Sequence, residues 1–131
     1  MIVVLDSNAA IETVLKRDRG QALAKLVENA DKVITSEFFR IEVANVIRKY
    51  YQGKFIKKND CGKFLELAES LIDEYIPIKE NYFEAFNESI RLNYPAYDML
   101  YLTLARRTGA MLLTLDKPLN NIAKKEGIEI G

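Results

Sequence analysis

The feature that most narrows the fold is a set of short runs that are apolar almost from end to end. Ile2–Leu5 (IVVL) opens the set. Lys32–Thr35 (KVIT), Tyr75–Ile78, Ala110–Leu115 (AMLLTL) and Ile128–Ile130 complete it. A strand with one wet face alternates apolar and polar residues, and these do not, so both faces are expected to be covered. Longer amphipathic stretches lie between the runs. Helices are predicted over Ser7–Lys16, Gln21–Asn29, Ser36–Tyr51, Lys58–Glu74, Lys79–Leu92, Pro95–Thr108 and Lys117–Glu126, with Gly53, Gly109 and Gly127 as stops. The alternation predicts an α/β fold, a three-layer α/β/α sandwich around a parallel sheet of four or five strands. In such sheets the ligand site lies beyond the carboxyl ends of the strands.

A chain of 131 residues reads as one domain spanning 1–131, long enough to bury roughly two thirds of its unfolded surface. No apolar run approaches the ~20 residues that cross a bilayer. Asp6 interrupts the opening run, which therefore does not read as a signal peptide. Cys61 stands alone, which excludes an internal disulfide and a multi-cysteine metal site. A cytoplasmic protein without a membrane partner is the expectation.

Histidine is absent. That removes His-dependent nucleophilic triads, His-ligated zinc and imidazole acid–base catalysis. The glycines are too scattered for a phosphate-binding loop. Any chemistry must rest on carboxylates, hydroxyls, Lys and Arg, or a metal. The 19 basic and 19 acidic residues cancel, which argues against coating nucleic acid by bulk charge but leaves room for local patches. The basic clusters at Lys16, Arg17 and Arg19, at Arg48 and Lys49, at Lys57 and Lys58, and at Arg106 and Arg107 read first as solvated helix faces.

Four acids sit in apolar company. Asp6 ends the first predicted strand, where it suits an N-cap, a role open also to Ser7 and Asn8. Glu42 lies on the stripe Phe38, Glu42, Val46, inside an apolar arc from Phe38 through Val46, Phe39 and Tyr50 to Val43. Arg40 and Arg48 fall outside that arc. A Glu there either reaches water at the edge of the stripe or needs a partner or a metal. Asp98 falls near the start of the helix opened by Pro95, where the helix dipole favours a carboxylate by ~0.3–1 kcal/mol. Thr103, Arg106 and Arg107 are expected to mark that helix's solvent side, whereas Tyr101, Leu102 and Ala105 share the face of Asp98. Asp116 ends a strand before Pro118 and also suits a cap; Thr114 should point to the same side as Asp116. Each local explanation is adequate alone. Together they place Asp6 and Asp116 at one sheet end, with Glu42 and Asp98 in early turns of helices leaving it. Four converging carboxylates repel each other, and a divalent cation with oxygen ligands, Mg²⁺ or Mn²⁺, relieves that.

At this point the chain resembles the PIN domain family, and within it the small VapC-type toxin ribonucleases. The resemblance covers nearly the whole chain and rests on VVLDSNAAIE, EFFRIEVANVIRK and YDMLYLTLARRTGAMLLTLD, with the order Asp, Glu, Asp, Asp. It implies metal-binding and catalytic roles for Asp6, Glu42, Asp98 and Asp116, and a catalytic-site hydroxyl at Thr114. Ser7 stands where the family often has Thr and keeps the hydroxyl. Some relatives carry a further acid shortly after the last one; here Leu119, Asn120 and Asn121 occupy that stretch. The resemblance implies an Mg²⁺- or Mn²⁺-dependent endoribonuclease that cuts single-stranded or looped RNA, leaving a 5′-phosphate and a 3′-hydroxyl. It also implies a homodimer and an antitoxin protein that fills the acidic groove. Arg48, Lys49 and Lys117 are candidates for contacts to the RNA backbone. Two rivals share the general fold. A haloacid dehalogenase-like phosphatase needs a second Asp where Asn8 stands, and a receiver-like, non-catalytic binding module needs adjacent acids near the first strand.

Overall fold

The structure, a computed structural model, describes residues 1–131. Its elements run β1 (Ile2–Leu5), α1 (Ser7–Leu15), α2 (Asp18–Asn29), β2 (Lys32–Ser36), α3 (Phe39–Gln52), α4 (Lys58–Ser70), β3 (Glu74–Ile76), a 3₁₀ turn at Ile78–Glu80, α5 (Tyr82–Arg91), α6 (Ala96–Thr108), β4 (Met111–Leu113) and α7 (Lys117–Lys125). The four strands form a wholly parallel sheet in the order β3-β2-β1-β4. The β1–β2 and β2–β3 connections step one way across the sheet, and the β3–β4 connection steps back. Right-handed crossovers then put α1–α4 on one face and α5–α6 on the other. The packing agrees: α1 contacts α2, α3 and α4, and α3 contacts α4, while α6 lies across β1, β2 and β4 with α5 beside it.

Burial explains the uniformly apolar strands. Val3, Val4, Leu5, Leu112 and Leu113 have no exposed surface. On α6 every residue from Met99 to Ala105 is buried, including Thr103, which the sequence had assigned to solvent. Its hydroxyl donates to the Met99 carbonyl at 2.7 Å and accepts from the Asn81 side chain at 2.9 Å, so the polar group is satisfied in place. Arg106 and Arg107, beyond it, do reach water, and both pair with Glu84 of α5.

Several boundaries move for identifiable reasons. The predicted helix over Lys79–Leu92 is broken at Asn81, whose side chain also donates to the Leu100 carbonyl at 2.9 Å and ties the break to α6. Ser36 belongs to β2 rather than to the following helix, and its hydroxyl accepts from the Phe38 N–H at 3.2 Å. The predicted helix over Lys58–Glu74 ends at Ser70, because Asp73 and Glu74 are drawn to the sheet edge. There the Val33 N–H donates to the Asp73 carboxylate at 2.7 Å, and Glu74 pairs with Ile34. The last predicted strand is reduced to a single parallel bridge between Leu112 and Ile130. Helix α2 starts earlier than predicted, at Asp18, and contains Gly20. A Cβ there would lie 2.0 Å from the Glu12 carbonyl oxygen, so the glycine permits the close crossing of α1 and α2.

Candidate active site

Parallel pairing brings the ends of β1 and β4 together. Leu5 is in register with Leu113, and the Asp6 N–H donates to the Leu113 carbonyl at 3.2 Å. The two acids that follow these strands therefore leave the sheet at the same end. Asp6 is 5 % exposed and caps α1, accepting from the Ala9 N–H at 2.9 Å. Asp116 caps α7, accepting from the Leu119 N–H at 3.2 Å. It also accepts from the Tyr94 hydroxyl, at 3.0 and 3.2 Å to its two oxygens. Thr114 lies buried between the two caps. Its hydroxyl meets the Asp6 carboxylate and accepts from the Asp116 N–H at 3.1 Å.

The other two acids come from helices on opposite faces of the sheet. Glu42 stands in the first turn of α3, half-buried, and accepts from the Tyr101 hydroxyl and, at 3.4 Å, from the Ser7 hydroxyl. Asp98 stands in the first turn of α6, also half-buried, one turn before Tyr101 on the same stripe. None of the four carboxylates forms an ion pair with Lys or Arg, although seven other acidic side chains do: Glu12, Glu37, Glu69, Glu74, Glu84, Glu88 and Glu126.

The electrostatics follow from burial and like charge. Burial raises the Asp6 carboxyl to about 7, with Glu42 and Asp98 adding repulsion, against the Thr114 and Ala9 hydrogen bonds that favour its charged form. Burial also raises Asp98 to about 6, assisted by Glu42 and Asp116. Glu42 is raised by burial despite the hydrogen bonds from Tyr101 and Ser7. Tyr94 is pushed up to about 12 by burial and by Asp116, and Tyr101 is pushed further up by burial and by Glu42. Both phenols stay protonated and serve as fixed donors.

As oriented here, no three acidic side chains stand close enough to share one cation. Asp6 and Asp116 are each turned toward a backbone cap, and Glu42 is turned toward Tyr101. The donor set nevertheless suits a hard divalent ion. It is all oxygen, carries several negative charges and contains no thiol or imidazole.

Tyr94 and Glu12 were not foreseen as site residues. Glu12, on α1 one turn beyond Asn8, is 4 % exposed and has one carboxylate oxygen without a hydrogen-bond partner. Its other oxygen lies 3.5 Å from Arg17, 3.6 Å from Arg19 and 3.5 Å from the Tyr50 hydroxyl, so that basic cluster is not a free solvated face. Lys117 is exposed at the start of α7, whereas Arg48 and Lys49 line a cavity beside Ser7 and Glu42.

The PIN domain family model matches residues 3–125. Ribonuclease VapC3 of Pyrobaculum aerophilum is 25% identical over 124 residues, covering 91% of this chain and 92% of that protein. Among solved structures, a Pyrobaculum aerophilum protein superposes with a TM-score of 0.73 at 17% identity, covering 99% of this chain and 89% of its own. VapBC2 of Rickettsia felis, bound to a DNA fragment from its promoter, gives 0.69 at 19% identity, covering 100% and 98%. VapBC-1 of nontypeable Haemophilus influenzae gives 0.66 at 17% identity, covering 100% and 97%. No helix of the chain is long and apolar enough to cross a membrane.

Proposed function

The chain belongs to the PIN domain family, and from that premise we propose that it is a metal-dependent endoribonuclease, the toxin of a toxin–antitoxin pair. One observation carries the reading: Asp6, Glu42, Asp98 and Asp116, from four separate elements, lie at one end of the sheet with no Lys or Arg paired to them. A structural role alone would leave three raised or repelled carboxyls without compensation, whereas a phosphodiester hydrolase uses such a set. The phosphatase and receiver alternatives lose their basis with the family assignment, because Asn8 stands where the first needs an acid and no adjacent acids serve the second.

In this reading Asp6, Asp98 and Asp116 would hold Mg²⁺ or Mn²⁺, and Glu42 would join them or orient the attacking water. When bound, a divalent ion supplies a nucleophilic water near neutral pH and offsets the charge that builds at phosphorus. The chain's own groups do the rest. Thr114 favours the ionised form of Asp6 and joins it to the Asp116 backbone. Tyr101 and Ser7 fix Glu42 by hydrogen bonds, and Tyr94 fixes Asp116. Packing of α3 and α6 half-closes the site against water.

The 131 residues act as one domain in the cytoplasm. An antitoxin protein covers the acidic cleft; the support is that two of the similar structures are VapBC proteins. A second copy of the chain docks through α5, which leaves Phe83, Phe86 and Ile90 exposed along one side. The decisive experiment incubates end-labelled RNA with the protein in Mn²⁺ or Mg²⁺ and in EDTA. Cleavage with 5′-phosphate and 3′-hydroxyl ends, abolished by EDTA, is the expected result. Cutting that persists in EDTA, or that leaves 2′,3′-cyclic ends, overturns the mechanism.

A further inference from the structure

A cavity of about 630 Å³ opens beside the acids, between the start of α1, one side of α3 and the start of α6, within the ~300–1,000 Å³ range of small-molecule sites. Ser7 and Glu42 form its inner end. Phe38 and Tyr97 form an aromatic wall, their ring centroids 6.0 Å apart and their planes inclined by 33°. Tyr97 is 49% exposed although it neighbours Asp98 in the chain. Arg48 and Lys49 form the outer end. Arg48 lies six residues beyond Glu42, ~9 Å along the helix axis, too far to neutralise the acids. Every other arginine (Arg17, Arg19, Arg40, Arg91, Arg106 and Arg107) has a carboxylate within ion-pairing distance, and Arg48 has none. Lys49 is likewise unpaired.

We propose that this cavity seats an unpaired stretch of the RNA strand next to the bond being cut, one base against Phe38 and Tyr97 and a backbone phosphate further along the strand on Arg48 and Lys49. The inference rests on the nuclease reading for the identity of the strand. The physical need is specific. A chain of zero net charge presenting four carboxylates to a polyanion must hold it with local cations, and Arg48 and Lys49 are the free pair at the cavity's far end. The exposed Tyr97 ring, with the half-buried Phe38 ring beside it, offers a stacking surface that only an unpaired base can use, because a paired base has its faces covered. Neither contact reads sequence. A protein occupant fits less well, since it must bring acids of its own to Arg48 and Lys49 or bury them unpaired, which is costly.

The test measures binding of a fluorescein-labelled ten-nucleotide single-stranded RNA in EDTA, where no cleavage occurs, across a salt series. Tyr97→Ala should bind about tenfold more weakly with an unchanged salt slope, and Tyr97→Phe should bind like the parent. Arg48→Gln should weaken binding and flatten the dependence of log K on log salt by ~0.7, the loss of one phosphate contact on a single strand. In Mn²⁺, both deficits should appear in KM with kcat within about twofold of the parent. A probe carrying 4-thiouridine should crosslink to Phe38 or Tyr97. Unchanged affinity, salt slope and KM in both weakened variants overturn the proposal and leave the cavity to a protein partner, even if the parent cuts RNA. If the parent binds RNA with this pattern but never cuts it, the nuclease reading fails and the nucleotide seat stands.

Discussion

The Asp6 carboxylate accepts from the Ala9 N–H at 2.9 Å, so the residue that caps α1 also faces Glu42 and Asp98. Cap and site are two uses of one side chain, and substitution can separate them. Asp6→Asn keeps an oxygen for the cap and removes a charge that burial disfavours. At pH 8 in EDTA it should be at least as stable as the parent and should cut no RNA. Asp6→Ala loses the cap as well and should fall ~1 kcal/mol below Asp6→Asn. Urea unfolding of the three proteins, set beside their cleavage rates, measures both effects. Equal stability of the Asn and Ala variants would remove the cap.

The raised carboxyls set a pH dependence whose sign is opposite to that of an ordinary salt-bridged acid. Asp6 stands at about 7 and Asp98 at about 6 in the folded protein, against 3.8 for both in their ordinary state. Between those values the folded state holds protons that the unfolded state has released. Stability from these two groups is complete below about 3.8 and is lost as pH rises through 6 and 7. In EDTA the protein should therefore melt higher at pH 5.5 than at pH 8. Asp6→Asn should flatten that difference. A parent that gains stability from pH 5.5 to 8 in EDTA would contradict the crowding of these acids.

Tyr101 lies 59 residues from Glu42 in the chain, yet its hydroxyl donates to that carboxylate, as the nearer of two donors beside Ser7. Tyr101→Phe removes the donor and keeps the ring, which is 1% exposed. The expected loss is ~1.5–3 kcal/mol, the range for a hydrogen bond to a charged group. A value toward the lower end is expected because Glu42 is only half-buried. Thermal unfolding measures the loss. Single-turnover cleavage should slow at the same time, since Glu42 then keeps only the 3.4 Å hydrogen bond from Ser7.

How much of this was legible in the sequence depended on the range of the interactions involved. β1 was readable to the residue, and α6 nearly so, because Pro95 and Gly109 punctuate it locally; Gly109 takes the left-handed conformation at φ 68°. The break at Asn81 was not readable, because it is made by hydrogen bonds to Leu100 and Thr103 on another helix. The same contact explains Thr103, which reads as polar and therefore exposed. The positions of the four acids at element ends followed from patterning and the topology of parallel sheets. Their partners did not. Tyr94 reaches Asp116 from an irregular connection between α5 and α6, and helical periodicity carries no information about such a contact. Tyr101 could be placed on the face of Asp98, but that it grips Glu42 is a fact of tertiary packing. Glu12 reads like any surface glutamate until α2 folds over it at Gly20.

Asp98 gives the sharpest contrast, because its two explanations predict opposite signs in a measurement that needs no substrate. In the first turn of α6 a carboxylate is favoured by the helix dipole, by ~0.3–1 kcal/mol. If that were its purpose, Asp98→Asn would lower stability by that amount whether or not metal is present. In the site, Asp98 is desolvated and repelled by Glu42 and Asp116, which raises it to about 6. Above that pH its charge strains the fold, so in EDTA at pH 8 Asp98→Asn should melt at or above the parent. Millimolar Mn²⁺ should reverse the order. The parent gains by linkage, about 2.7 kcal/mol at a hundred times the dissociation constant, and the variant, lacking one ligand, gains little. Melting curves of both proteins in EDTA and in Mn²⁺ make the comparison. A variant that melts lower in EDTA and responds to Mn²⁺ as the parent does would make Asp98 a helix-end residue, and the metal site would lose a member.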